Sequence, residues 1–111
     1  MEQNYYIYII ELDASVLTKK NFLNQNPEMA LDLPFLYVGQ SIVPPAERFK
    51  QHKMGHKGSR WVRDYGKWVR RKLIGRYERK FGKAESREEA LEIEAKVAED
   101  LRSIGHGVWY N

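Results

Sequence analysis

The sequence contains no cysteine, which excludes disulfide bonds and thiolate metal sites. It also lacks an apolar run long enough to cross a bilayer, because charged or turn-forming residues interrupt every hydrophobic stretch. The first residues carry neither the basic nor the apolar segment of a secretory signal. Hydrophobic residues make up 42% of the 111 residues and charged residues 31%, a balance typical of folded domains. We therefore expect one soluble, cytoplasmic domain with no membrane partner.

Acidic residues are scarce in one part of the chain, where positive charge is concentrated. Between residues 57 and 83, eleven Lys or Arg accompany only two acids, so this stretch carries +9 and the rest of the chain −5, for a net charge of +4. Aromatic residues are interleaved with these cations, as in surfaces that bind nucleic acid. A solvated surface with core aromatics explains the same composition equally well. Charge alone leaves both interpretations open.

Two segments have the composition of β-strands. Residues 5–12, YYIYIIEL, are rich in aromatic and β-branched side chains, and residues 34–40 contain Phe-Leu-Tyr-Val-Gly. A period of two places Tyr8 and Ile9 on opposite faces of the first strand, with alternate residues sharing each face. The mostly polar segment 13–33 between the strands predicts a long loop with at most one helical turn.

The middle of the chain predicts two helices and a short strand. Residues 41–54 form a helix whose first turn tolerates proline and which ends at Gly55. Residues 59–65 form a second, short helix. A third strand is expected at 68–69 or at 73–74, where basic residues blur the alternation of apolar side chains.

The last long element has the clearest helix signals. Ser86 and Glu89 form a capping box, and the helix is expected to run to about Ile104 and to end at Gly105. The order of strands and helices along the chain predicts an α/β domain, with a small mixed three-stranded sheet flanked by helices.

One carboxylate lies on the apolar side of this last helix. At 100° per residue, Glu94 falls within the arc formed by Ala90, Leu91, Val97, Ala98, Leu101 and Ile104. An ionised carboxylate that faces a core is unfavourable unless it is paired or binds a metal ion. From this helix alone, an ion pair with an arginine is the commoner outcome, and a metal site is the alternative.

A second group of polar residues lies on the helix after the second strand. Arg48 and His52 are four residues apart and share one helical face. Arg48 could pair with Glu94, or the two could converge on one phosphate. Zinc is disfavoured, because a helix break separates His52 from His56 and no cysteine joins them or His106.

Five segments, in this order, resemble the motifs of the GIY-YIG nucleases. They are Tyr6-Ile7-Tyr8, Tyr37-Val38-Gly39, Glu47 to His52, Glu89 to Glu94, and Val108 to Asn111. Together they span almost the whole chain, and residues 58–66 also resemble the connecting segment of small bacterial and phage members. The resemblance implies the GIY-YIG fold and an endonuclease that hydrolyses DNA phosphodiester bonds with one Mg²⁺ or Mn²⁺ ion. RNA is left open as a second partner.

The resemblance also implies roles for individual residues. Glu94 would bind the metal ion, and Arg48 would contact the scissile phosphate through its guanidinium fork. Tyr8 would be the general base, which requires nearby positive charge because a free phenol has a pKa of about 10. The family name has glycine where this chain has Tyr6, and the choice between Tyr6 and Tyr8 stays open. The other catalytic positions implied are Tyr37, His52 and Asn111.

The basic stretch is expected to position DNA through phosphate contacts. The residues expected to do so are Lys57, Arg60, Arg63, Arg70, Arg71 and Lys72. The chain ends at Asn111, so no appended DNA-recognition domain is expected. One alternative function is a catalytically inactive relative that binds nucleic acid through residues 57–83. Another is an interaction module in which Glu94 and Arg48 form a purely structural pair.

Overall fold

A mixed β-sheet with helices on both faces forms the described part of the chain, residues 4–55 and 59–110 of this computed structural model. The strands are β1 (Tyr6–Leu12), β2 (Phe35–Ser41), β3 (Gly66–Val69) and β4 (Val108–Tyr110). The helices are α1 (Lys20–Gln25), α2 (Pro45–Lys53), α3 (Arg60–Tyr65), α4 (Arg71–Phe81) and α5 (Arg87–Ile104), and a 3-10 helix spans Ala14–Thr18. No helix within these described ranges is long and apolar enough to cross a membrane.

The strand order in the sheet is β3-β1-β2-β4. β1 and β2 pair antiparallel from Tyr6–Ser41 to Leu12–Phe35. β3 pairs antiparallel with the other edge of β1, and β4 runs parallel to β2. The α/β class and the mixed sheet are confirmed. The expected number of three strands is wrong for the described residues, because β4 has only three residues and gives no periodic signal.

The third strand occupies the first of its two expected positions. β3 contains Trp68 and Val69, whereas Leu73 and Ile74 lie in α4, so the second position is wrong. α4 is a helix that the sequence pattern did not predict. Its buried residues Leu73 and Tyr77 are four positions apart, which is the helical spacing, but the cations around them obscure the pattern.

The alternation of β1 separates two cores, as predicted. Ile9 lies in the core that the sheet forms with α4 and α5, together with Leu36 of β2. Tyr8 and Ile10 lie in the core on the other face, together with Tyr37 of β2 and apolar residues of α1 and α3. The two strand tyrosines therefore share the face that α2 and α3 cover.

α5 has the ends that the sequence predicts. The Ser86 hydroxyl accepts a hydrogen bond from the Glu89 N–H at 3.1 Å, which caps the first turn. Gly105 follows the helix with φ of 120°, a conformation that a side chain would strain. The predicted bounds of this helix are confirmed. α2 ends before Gly55, as expected, but it begins at Pro45, and the expected start at residue 41 is wrong because Ser41 belongs to β2.

The predicted apolar arc of α5 is partly wrong. Glu94 is buried, as expected, with 2% of its surface exposed. Leu91 and Ile104, in contrast, are 43% and 52% exposed, and Ile93 is buried in their place. The stripe that packs on the sheet is centred between Ile93 and Val97, so Leu91 lies just outside it.

The segment between β1 and β2 holds two short helices, the 3-10 helix and α1, where at most one helical turn was expected. Asn26, buried after α1, fastens this segment to the edge of the sheet. Its side-chain amide donates to the carbonyls of Phe22 at 2.8 Å and Val108 at 3.0 Å. Its Oδ1 accepts from the Val108 N–H at 2.8 Å and from Arg102 Nε at 3.1 Å. β4 is thus held on the sheet by side-chain bonds as well as by its ladder.

Replacing Asn26 with alanine should lower the free energy of unfolding by about 2–3 kcal/mol, because the buried Val108 N–H loses its acceptor. Urea denaturation followed by tryptophan fluorescence measures the change. Asn24→Ala is the matched control, since Asn24 is exposed on α1 and should change stability by less than about 0.5 kcal/mol. Equal midpoints for the two variants would show that Asn26 does not hold β4.

Candidate active site

Tyr8 rests directly on the backbone of Gly39. The two residues are opposite each other in the β1–β2 register. A Cβ atom at position 39 would overlap Cζ and Oη of the Tyr8 ring. Glycine inside a strand often marks such a close approach. Gly39 therefore sets the height of the Tyr8 ring above the sheet, a role that its place in the motif did not reveal.

The hydroxyl of Tyr8 lies 3.1 Å from Nε2 of His52. His52 is buried on α2, which crosses this face of the sheet. Its other ring nitrogen, Nδ1, accepts a hydrogen bond from the Ser59 N–H at 2.7 Å. A neutral imidazole has one N–H, so the bond from Ser59 places that proton on Nε2. His52 therefore donates to Tyr8 Oη, and Ser59 fixes the direction of the bond.

Burial, together with the positive charge of Arg48, lowers the pKa of His52 to about 4. His52 is consequently neutral at pH 7. Because Nε2 already carries its proton and Nδ1 accepts from Ser59, His52 is suited to orient Tyr8. For His52 to take up a proton at Nδ1, the hydrogen bond from Ser59 would have to break.

Burial raises the pKa of Tyr8 well above its usual range. Tyr37, whose ring centroid lies 5.9 Å away, raises this pKa further through a hydrogen bond and through the repulsion that two ionised phenols would have. Arg48 lowers the pKa and Glu94 raises it. Four residues from three different elements besides β1 therefore act on a single phenol: Tyr37 from β2, Arg48 and His52 from α2, and Glu94 from α5.

Arg48 lies one turn before His52 on α2 and is partly buried. Its Nη1 atom donates to Oε1 of Gln51 at 2.9 Å. Gln51 is neutral, so this bond orients the guanidinium without balancing its charge. Arg48 and His52 lie on the same face of α2, as predicted. The charge of Arg48 acts on Tyr8, and His52 forms a hydrogen bond with it.

Glu94 brings a carboxylate to this group from the opposite helical layer. Its Oε1 atom is buried and accepts no hydrogen bond from the described residues, although the side chain does interact with other parts of the protein. A buried carboxylate is the kind of oxygen ligand that suits a hard cation. No group of three or more His, Cys, Asp or Glu is gathered anywhere in residues 4–55 and 59–110. Any cation here would take most of its ligands from water or substrate.

The expected DNA-contacting residues are in different environments. Arg60 and Arg63 are exposed on α3, and Arg63 forms a surface ion pair with Asp64 at 3.0 Å. Arg70 donates to Glu11 at 2.8 Å and is partly buried, so part of its charge is balanced within the protein. Arg71 and Lys72 are exposed in the first turn of α4.

Two of the expected site residues, Asn111 and Lys57, lie outside the described residues, as does His56. The two candidates for the first-motif tyrosine have different surroundings. Tyr8 is bonded to His52, whereas Tyr6 lies opposite Ser41 at the start of β1. Sequence reasoning also missed Ser59 as a partner of His52, because a backbone N–H leaves no signal in residue type.

No family model, curated protein or solved structure matches this chain.

Gly39→Ala should lower the free energy of unfolding by about 1–3 kcal/mol, since the added methyl group must push the Tyr8 ring off the sheet. Thermal and urea denaturation measure the loss. Gly75→Ala is the control: on α4 the new Cβ meets only the mobile end of Arg79, at 3.3 Å, and helical alanine is favoured over glycine. A Gly39 variant as stable as the Gly75 variant would rule out the close packing of Tyr8.

The lowered pKa of His52 predicts a pH-dependent stability. The folded pKa is about 4 and that of an unfolded histidine about 6.5, so between these values the unfolded chain binds more protons. The contribution of neutral His52 is complete above pH 6.5 and is lost as the pH falls toward 4. The difference in unfolding free energy between the wild type and His52→Gln should therefore shrink over this range. A difference that is constant from pH 7 to 4 would contradict the prediction.

Proposed function

We propose that this chain is a cytoplasmic endonuclease with the GIY-YIG fold, which hydrolyses DNA phosphodiester bonds with one divalent metal ion. The observation that carries the proposal is the hydrogen bond between His52 and the hydroxyl of Tyr8, at a position where the charges of Arg48 and Glu94 both act on the phenol. A permanent cation, a buried acid and an oriented phenol can serve phosphodiester hydrolysis by stabilising charge, holding a metal ion and accepting a proton. The resemblance of the five sequence segments to one nuclease family supports the same function.

Arg48 would stabilise the charge that develops on the phosphate. Its guanidinium is always charged and presents two parallel donors to phosphate oxygens. The neutral Gln51 amide that it now contacts is a weaker partner than a phosphate, since charge-assisted hydrogen bonds are the stronger ones. A bound phosphate can therefore replace that contact.

Tyr8 would accept a proton from the attacking water once it is ionised. Its raised pKa means that the phenol is protonated in the protein alone. Two features of the site favour the ionised form. The charge of Arg48 lowers the pKa of Tyr8, and the N–H of His52 donates to the tyrosine oxygen. Glu94 raises the pKa, so neutralising its charge would remove one barrier to ionisation.

Glu94 would hold the metal ion. When bound, Mg²⁺ or Mn²⁺ supplies positive charge for the phosphate and leaving oxygens. A single carboxylate is sufficient for Mg²⁺, which retains several waters and takes further ligands from substrate phosphates. The buried Oε1 atom of Glu94 and the proximity of the Tyr8 phenol are consistent with this use.

A catalytically inactive relative that binds nucleic acid is the second candidate. The observation in its favour is that burial is the largest influence on the pKa of Tyr8 and raises it. A raised pKa disfavours the ionised form that a general base needs. DNA binding is common to both functions and would rest on exposed cations such as Arg60, Arg71 and Lys72. The two functions differ in whether Glu94 binds a metal ion and whether DNA is cut.

Glu94→Gln should reduce the rate of metal-dependent cleavage of plasmid DNA by at least about 100-fold. Mutation of residues that only orient metal ligands can already reduce activity by that factor. Glu94→Gln should also abolish any rise in the melting temperature on addition of Mn²⁺, which stabilises a folded protein only through binding. Gel assays of supercoiled plasmid and thermal melts measure the two effects.

Glu92→Gln is the matched control, because Glu92 is exposed on the same helix. It should behave as the wild type in both assays. If Glu94 is instead a structural partner of Arg48, the Gln variant should lose about 3–5 kcal/mol of stability, and Mn²⁺ should have the same effect on both variants. Metal-stimulated cleavage that survives Glu94→Gln would refute the metal assignment.

A further inference from the structure

Three aromatic residues form a row beside the candidate active site: Trp109, Trp61 and Tyr65, here termed the aromatic row. The Trp109 and Trp61 rings are stacked, with centroids 4.3 Å apart and planes 28° apart. The Tyr65 ring follows one helical turn later, 5.7 Å from Trp61. All three side chains are only partly buried. The row thus leaves aromatic surface in contact with solvent.

The row begins next to the site tyrosines. Trp109 of β4 is directly beside Tyr37 of β2 in the parallel register, so their side chains lie on the same face of the sheet. Tyr37 in turn stacks with Tyr8. Trp61 reaches over Trp109 from α3. A strand whose phosphate lay at Tyr8 would therefore have a neighbouring nucleotide close to the row.

Positive charge flanks the far end of the row. The Lys19 ammonium lies 6.0 Å from the centroid of the Tyr65 ring. Arg60 and Arg63 are exposed on α3, which also carries Trp61 and Tyr65. Asp64 is the acid on this helix, and it is paired with Arg63. Partly exposed rings bordered by cations are typical of surfaces that bind single-stranded nucleic acid, where bases stack and phosphates are neutralised.

We propose that the aromatic row stacks an unpaired base of the DNA strand whose phosphate lies at Tyr8. The inference rests on the proposed nuclease function and narrows its substrate to single-stranded or locally unpaired DNA. Bases inside a duplex have both faces covered by their neighbours, so they cannot stack on the row without leaving the helix. Stacking on one aromatic platform strengthens binding by about tenfold or more.

The three tryptophans of the chain allow a direct test. Trp68 lies outside the row, 50% exposed on β3, beneath the Lys67 ammonium. In a Trp68→Phe variant, all tryptophan emission comes from Trp61 and Trp109. This variant is titrated with a single-stranded oligonucleotide and with the same oligonucleotide annealed to its complement, in buffer without divalent ions. We expect the single strand to quench the emission strongly and the duplex to leave it nearly unchanged.

Fluorescence anisotropy of labelled DNA measures binding independently of quenching. Trp109→Leu should weaken single-strand binding by about tenfold and leave duplex binding unchanged. Trp109→Phe, which keeps an aromatic ring and the packing, should restore most of the affinity. Thermal melts establish that each variant is folded, and if Trp109→Leu is not, the Trp68→Phe titration decides alone.

Two outcomes would overturn the inference and are distinguishable from failure of the proposed function. Equal quenching by single strand and duplex, or single-strand binding without quenching, shows that the row does not stack unpaired bases, whether or not the wild type cuts DNA. Strong quenching by the single strand, in a protein that cuts no DNA with Mg²⁺ or Mn²⁺, supports the stacking surface and overturns the nuclease instead.

Discussion

The antiparallel register of β1 and β2 is the constraint on which the candidate site depends. It sets Tyr8 against Gly39, where only a hydrogen atom leaves room for the ring. A slip of one residue would turn Tyr8 to the other face and place it in the core beneath α4 and α5. The register also brings Tyr37 within stacking distance of Tyr8. The position of the phenol is therefore determined by the pairing of the two strands, independently of the helices.

Burial and the neighbouring charges together determine whether that phenol ionises. Burial and Tyr37 stabilise the neutral form, Arg48 favours the ionised form, and Glu94 opposes it. The Ser59 N–H determines how His52 takes part, because it leaves Nε2 as the donor to Tyr8. The protonation of Tyr8 is thus sensitive to any charge that binds beside Glu94. A cation bound there would favour loss of the proton from Tyr8, whereas a bound phosphate anion would oppose it.

The sequence predicted correctly those features that depend only on neighbouring residues. The caps of α5, the faces of β1 and the burial of Glu94 follow from capping chemistry and periodicity, and all three are confirmed. α4 was missed because its cations mask the spacing of Leu73 and Tyr77. The contacts of His52 with Tyr8 and Ser59 could not be predicted, since they join positions 44 and 7 residues apart through tertiary packing.

β4 shows how an element with almost no sequence signal becomes structurally important. Three residues cannot form a stable strand by themselves, so β4 depends on the Val108 bonds to Asn26 and on Arg102, which also donates to the Val108 carbonyl at 2.8 Å. This edge sets the position of Trp109, and with it the stacked pair beside Tyr37. The segment 13–33, which was expected to be a long loop between two strands, therefore supports the aromatic row through Asn26. Loosening that buried amide should disturb the row while leaving the contacts of Tyr8 with Gly39 and His52, which belong to other elements, in place.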